Sequence, residues 1–107
     1  MCELYSAIPP SEYECQTRSV RLNGAVTSIR LERRFWSILT DLAEGEHATL
    51  GKLLSTLHQE AVFKHGHVEN FASLLRVVCT TYLARRSAEF RNACTAETAP
   101  VASGAVV

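Results

Sequence analysis

No stretch of the sequence approaches the roughly 18 consecutive apolar residues of a membrane span, and Met1-Cys2-Glu3-Leu4 lacks the basic start and apolar run of a secretory leader. Net charge is also missing. Eleven basic residues stand against eleven acidic ones, which argues against a chain that coats nucleic acid through its overall field. The four cysteines, Cys2, Cys15, Cys79 and Cys94, lie far apart with no Cys-x-x-Cys pair, so neither a disulfide framework nor a thiolate metal site is expected. The five glycines are scattered rather than gathered into a phosphate-cradling loop. No nucleophile stands in a recognisable context with a base, and Glu44 and Glu46 merely flank a helix end. These absences lead to the expectation of a cytoplasmic chain that keeps its thiols reduced, is not an enzyme and needs no cofactor.

What is present is ordinary in amount and uneven in placement. At 107 residues, with 47% apolar and 21% charged side chains, the chain has the length and composition of one globular domain. Residues 1–17 contain Pro9-Pro10 and no sustained period, and are expected to form a flexible arm. Residues 92–107 are small and contain proline and glycine, the composition of a disordered tail. The folded unit is expected over 18–91. The charge is locally biased: between residues 16 and 36, Arg18, Arg21, Arg30, Arg33 and Arg34 face a single acid, Glu32.

That unit opens with Ser19-Val20-Arg21-Leu22, then Asn23-Gly24, then Val26-Thr27-Ser28-Ile29-Arg30-Leu31. Both flanks alternate, and Asn-Gly accepts positive φ at both turn positions, so a β element is predicted. Period-two geometry puts Thr27, Ile29 and Leu31 on a core face and Val26, Ser28 and Arg30 on the other. Helical spacing follows in Phe35, Ile38, Leu39, Leu42 and Ala43, closed by Gly45. It resumes in Leu50, Leu53, Leu54, Leu57 and Ala61 behind the candidate cap Thr49, and again in Phe71, Leu74, Leu75, Val78 and Tyr82 behind Asn70, to about Arg86. The predicted class is mainly α with a short β-ribbon: strand, then three helices.

A short strand cannot stabilise itself in water, and its open edge needs a partner. A homodimer supplies one if the same strand from each subunit pairs antiparallel over a shared core of Ile29, Leu31, Phe35, Leu39, Leu53 and Leu57, with Ile38 and Leu54 beside them. The ribbon's outer face would then carry Val26, Ser28 and Arg30. A two-stranded ribbon fits the major groove of double-stranded DNA, where an arginine can donate twice to guanine and a serine can donate or accept. Phosphates would be held by Arg33 and Arg34, by the amides around Thr49, Leu50 and Gly51, and by Lys52.

Thr27-Ser28-Ile29-Arg30-Leu31-Glu32, Phe35-Trp36, Leu39, and Thr49 with Leu53 resemble the ribbon-helix-helix family of Arc-like and MetJ-like repressors. More narrowly, Arg18-Ser19-Val20, Gly24, Thr27-Ser28 and Asn70-Phe71-Ala72-Ser73-Leu74-Leu75-Arg76-Val77 are similar to a group of short proteobacterial proteins. The likeness covers about residues 18–83. It implies a ribbon-helix-helix dimer with sequence-specific DNA binding, major-groove use and often transcriptional repression, here by a bacterial, nucleoid-associated regulator. The third helix and the Asn23-Gly24 hairpin are additions to the minimal fold.

Each signal has a plainer reading beside it. Ser28 and Arg30 also fit the solvated face of a strand, and Arg33 and Arg34 ordinary surface charge, although cations at a helix start oppose its dipole. Trp36 fits a core or a dimer interface. His58, His65 and His67 have only Glu60 and Glu69 as nearby oxygen donors, and no metal site is expected. Cys79 reads as a small buried hydrophobe. A second functional class stays open: the same dimeric scaffold as a protein-interaction module, with the third helix docking another protein.

Overall fold

The computed structural model describes the backbone of residues 2–106 and the side chains of 3–93. Two short helices, α1 (Cys2–Ser6) and α2 (Pro10–Tyr13), precede β1 (Cys15–Leu22), β2 (Ala25–Glu32), α3 (Arg33–Gly45), α4 (Leu50–His65) and α5 (Phe71–Val106). The expected order of β element and three helices is present, and the strands are longer than the apolar alternation indicated.

β1 and β2 form a two-stranded antiparallel sheet, paired without interruption from Cys15↔Glu32 to Leu22↔Ala25. Asn23 (φ 52°) and Gly24 (φ 84°) make the turn, both in the left-handed region that a two-residue hairpin of this twist requires. The sequence pattern looks to a second chain for the strand that completes the ribbon. In the structure β1 of the same chain pairs along one edge of β2, because a two-residue turn brings eight residues back in register, and among the described residues no strand lies along the other edge. An Arg33 backbone N–H donating to the Glu14 carbonyl (2.9 Å) closes the open end.

Below the ribbon, Leu22, Ile29, Leu31, Trp36, Ile38, Leu39, Leu54, Leu75 and Cys79 form one buried cluster. Phe35, the expected leader of the α3 stripe, is only half-buried, while Trp36 is 1% exposed and donates from Nε1 to the Gln16 carbonyl at 2.8 Å. The indole therefore joins α3 to β1, through a polar tip that finds a backbone acceptor. α4 turns only Leu54 fully inward; Leu50, Leu53, Leu57 and Ala61 remain half-buried.

Both expected helix caps are in place. Thr49 Oγ1 accepts from the Lys52 amide (3.1 Å) at the start of α4, and Asn70 Oδ1 accepts from the Ser73 amide (3.0 Å) at the start of α5.

The chain ends are more structured than expected. In the predicted arm, Pro10 stands at the first turn of α2, where a missing N–H is harmless, and Glu12 of α2 pairs with Arg34 at 2.6 Å. Residues 15–17 belong to β1; they carry no apolar alternation, so the pattern hides them. α5 runs through the predicted tail to Val106, and its 36 residues, at about 1.5 Å each, match the 57 Å long dimension. Side chains beyond Ala93 lie outside the described residues. Among the described residues no helix is long and apolar enough to cross a membrane.

Candidate nucleic-acid interface

Strand alternation and the pairing register together define the two faces of the ribbon. On the inner face Val20, Leu22, Ile29 and Leu31 cover the helices, and Arg18 lies 5.0 Å from the Trp36 ring centroid in a cation–π contact. On the outer face three cross-strand pairs lie in succession: Thr17↔Arg30, Ser19↔Ser28 and Arg21↔Val26. All six side chains are exposed, including Val26 at 66%.

Val26, Ser28 and Arg30 thus share the exposed face expected of them. Thr17, Ser19 and Arg21 stand opposite them and were absent from the expected site, which counted one strand per chain. The signal that points to them is a repetition: Ser19-Val20-Arg21-Leu22 on β1 is echoed by Ser28-Ile29-Arg30-Leu31 on β2.

The arginine-rich segment is sorted by the fold into separate jobs. Arg18 lies over Trp36 and Arg34 on Glu12, so both have intramolecular partners. Arg21 Nη1 lies 3.4 Å from the Gly24 carbonyl, a long contact that leaves the side chain exposed. Arg30 and Arg33 are exposed. The segment's one acid, Glu32, accepts from Arg76 Nε of α5 at 3.0 Å. Its carboxyl is held below the ordinary value of 4.5, first by a backbone hydrogen bond at Glu32 itself, then by Arg76, with a weaker pull from Arg30. The negative charge at the foot of the ribbon is therefore already neutralised by α5, and the outer face keeps a cationic balance.

Of the expected phosphate-binding set, Arg33 follows the ribbon directly, whereas Thr49, Leu50 and Lys52 lie on a separate element at the start of α4. Thr49 Oγ1 occupies the Lys52 amide, so an anion there would meet the amides of Leu50 and Gly51 and the exposed Lys52 ammonium. Among the expected dimer-core residues, Leu31 and Leu39 are 0% exposed and Ile29 4% within one chain. Phe35, Leu53 and Leu57 are half-buried.

His58 packs edge-on against Phe71 with ring centroids 5.1 Å apart, and its buried Nδ1 has no hydrogen-bond partner among the described residues. His67 lies 3.9 Å from Glu69. No group of three potential metal ligands is gathered among the described residues. Cys79, buried under α3, has its thiol pushed up to about 11 by desolvation, and its Sγ donates to the Phe35 carbonyl at 3.7 Å.

A search of curated proteins finds no match to the chain. The chain is similar to a solved structure described as an uncharacterized protein from Bordetella pertussis Tohama I. That similarity has a TM-score of 0.80 and 36% identity over 83% of this chain and 71% of that one. Residues 15–83 match the ribbon-helix-helix domain family, a span that begins with β1 and ends on α5. With a two-stranded antiparallel ribbon leading into helices and the family match covering well over half its length, the chain belongs to the ribbon-helix-helix family.

Proposed function

We propose that this protein binds double-stranded DNA with sequence specificity as a homodimer, laying its ribbon in the major groove, and acts as a bacterial transcriptional regulator, most simply a repressor at the nucleoid. Ribbon-helix-helix domains are in general DNA-binding regulators that work as dimers. The observation that carries the reading is the ribbon's outer face: six exposed side chains, among them Ser28 and Arg30, with no acid between Thr17 and Arg21 or between Val26 and Arg30. Apart from the long contact of Arg21 with the Gly24 carbonyl, the fold makes little internal use of that face, and its donors suit the edges of base pairs. Arg33, Lys52 and the Leu50 and Gly51 amides supply the phosphate contacts, and Arg34 contributes only by leaving Glu12. A second copy would cover the half-buried Phe35, Leu53 and Leu57.

The test is binding to duplex DNA across a salt series with molar mass measured alongside. A dimer whose affinity falls steeply with salt supports phosphate contact. Arg30→Ala should then cost about 1–3 kcal/mol of sequence discrimination without loss of assembly. A dimer without affinity even at low salt would favour the protein-interaction module, a reading supported by exposed Val77 (60%) and Phe90 (70%) on α5.

A further inference from the structure

We infer that the groove between the end of α3 and the middle of α5 is a binding site for a free α-amino acid with an aromatic or branched side chain. The stripe that packs α5 against the body runs through Leu75, Val78 and Tyr82, and the same helical spacing carries it on to Arg85 and Glu89. Burial falls along it: Leu75 is 0% exposed, Val78 and Tyr82 are half-buried, and Arg85 and Glu89 are exposed. The cause is that α3 stops at Gly45 while α5 continues. Where α3 ends, a cavity of about 600 Å³ opens beside α5, a size within the ordinary range of small-molecule sites.

The floor of this cavity is apolar. Leu42 of α3 and Val77, Val78 and Tyr82 of α5 line it, and Val77 stays 60% exposed. The rim holds Glu46 beside the end of α3 and Arg85, Arg86 and Glu89 on α5, two charges of each sign. Among the described residues none of the four takes part in an ion pair. Arg86 is engaged locally, with its Cζ 5.6 Å from the Tyr82 ring centroid and its Nη1 3.4 Å from the Tyr82 hydroxyl, and so acts as a wall. Arg85, Glu89 and Glu46 are left open.

A rim without net charge above an apolar floor selects neither a simple anion nor a simple cation. It matches a molecule that carries both charges and an apolar body. Arg85 and Glu89 stand one helical turn apart on one face, with about 5–6 Å between Cβ atoms at that spacing. A carboxylate that accepts from the Arg85 guanidinium and an ammonium that donates to the Glu89 carboxylate can therefore belong to one head group. An α-amino acid carries both on a single carbon. Its side chain then lies on Leu42, Val78 and Tyr82, which lose water on binding, and Glu46 on the α3 side is a second acceptor in the same rim. The site is made by α5 and the end of α3, away from the outer face of the ribbon.

The experiment is calorimetric titration of the full chain, without DNA, with the aromatic and branched-chain amino acids and with glycine, and then with the amide and the deaminated acid of the tightest binder. Amide NMR shifts locate the bound molecule. The expected result is saturable binding of at least one apolar amino acid, none of glycine, and shifts at Val77, Val78 and Thr81. The amide and the deaminated acid should each bind roughly 10- to 150-fold more weakly, the effect of losing one hydrogen bond between charged groups. Arg85→Gln should remove the advantage of the amino acid over its amide, and Glu89→Gln its advantage over the deaminated acid; both side chains are exposed, so neither variant should lower the melting temperature. No saturable binding by about 10 mM, equal binding of the two analogues, or shifts confined to another part of the chain would overturn the inference. None of these outcomes bears on the DNA-binding reading, which the salt series tests separately.

Discussion

The inner and outer faces of the hairpin are made from alternate residues of the same pair of eight-residue strands, yet they answer to different requirements. Ile29, Leu31 and Leu22 are sealed against α3 to α5, where any lost volume leaves a void. Ser28, Arg30 and Arg21, one position away in each case, touch little of their own chain. Strand pleating thereby separates the face that holds the core from the face proposed to read DNA, and substitutions on one face should leave the property of the other almost unchanged.

The largest effect expected from breaking this separation lies beneath the ribbon. Leu39→Ala should destabilise the fold by about 2–5 kcal/mol, measured by urea denaturation, because the site is fully enclosed. Trp36→Phe should cost less, about 1–2 kcal/mol, by removing the bond to the Gln16 carbonyl and part of the ring volume. Thr49→Ala should cost about 1 kcal/mol through the lost cap at the Lys52 amide, seen as a lower denaturation midpoint at unchanged m.

A smaller effect is expected at the foot of the ribbon and depends on pH. Glu32 is held below its ordinary 4.5 in the folded chain, so its contribution is present above that value and lost as pH falls through the lower, folded one. Melting temperature should therefore drop more steeply on acidification below pH 4.5 in the wild type than in Glu32→Gln; parallel profiles would show that the carboxylate's backbone bond and its pairing with Arg76 together add nothing. Smallest of all, Arg21→Ala, Ser28→Ala and Arg30→Ala should each shift stability by no more than about 0.5 kcal/mol. A larger loss in circular-dichroism melts would mean that the outer face has a structural duty and that the two faces are not separate.

What could be read from the chain followed the same division. Alternation and the Asn23-Gly24 turn located β2 and its faces, and helical spacing with Thr49 and Asn70 located α4 and α5 at their starts, because these features rest on local geometry. Two things depended on more than a local pattern. The first half of β1 is polar on both faces at Cys15-Gln16-Thr17, so only its pairing with β2 identifies it as strand. The depth of Trp36 and the shallowness of Phe35 follow from how α3 is rotated beneath the ribbon, which a stripe of apolar positions constrains only to within about a residue. On the candidate site, the shared exposed face of Val26, Ser28 and Arg30 was legible, whereas the pairing of Arg34 with Glu12 was not, since 22 residues separate the partners.

The two-residue turn has a consequence for how such a protein can change over generations. Because side chains alternate with a period of two, an insertion or deletion of one residue at Asn23-Gly24 that kept the strands paired would exchange the faces of one strand. On β2 it would carry Arg30 toward the helices and Ile29 into water. A single-residue length change would thus damage the core and the proposed DNA-reading face in the same step, while a point substitution at Thr17 or Val26 alters only one exposed position of that face. On the proposed DNA-binding reading, altered target preference is accessible through replacement of side chains on a hairpin of constant length, and length variation is better tolerated at the connections beyond α3 and α4.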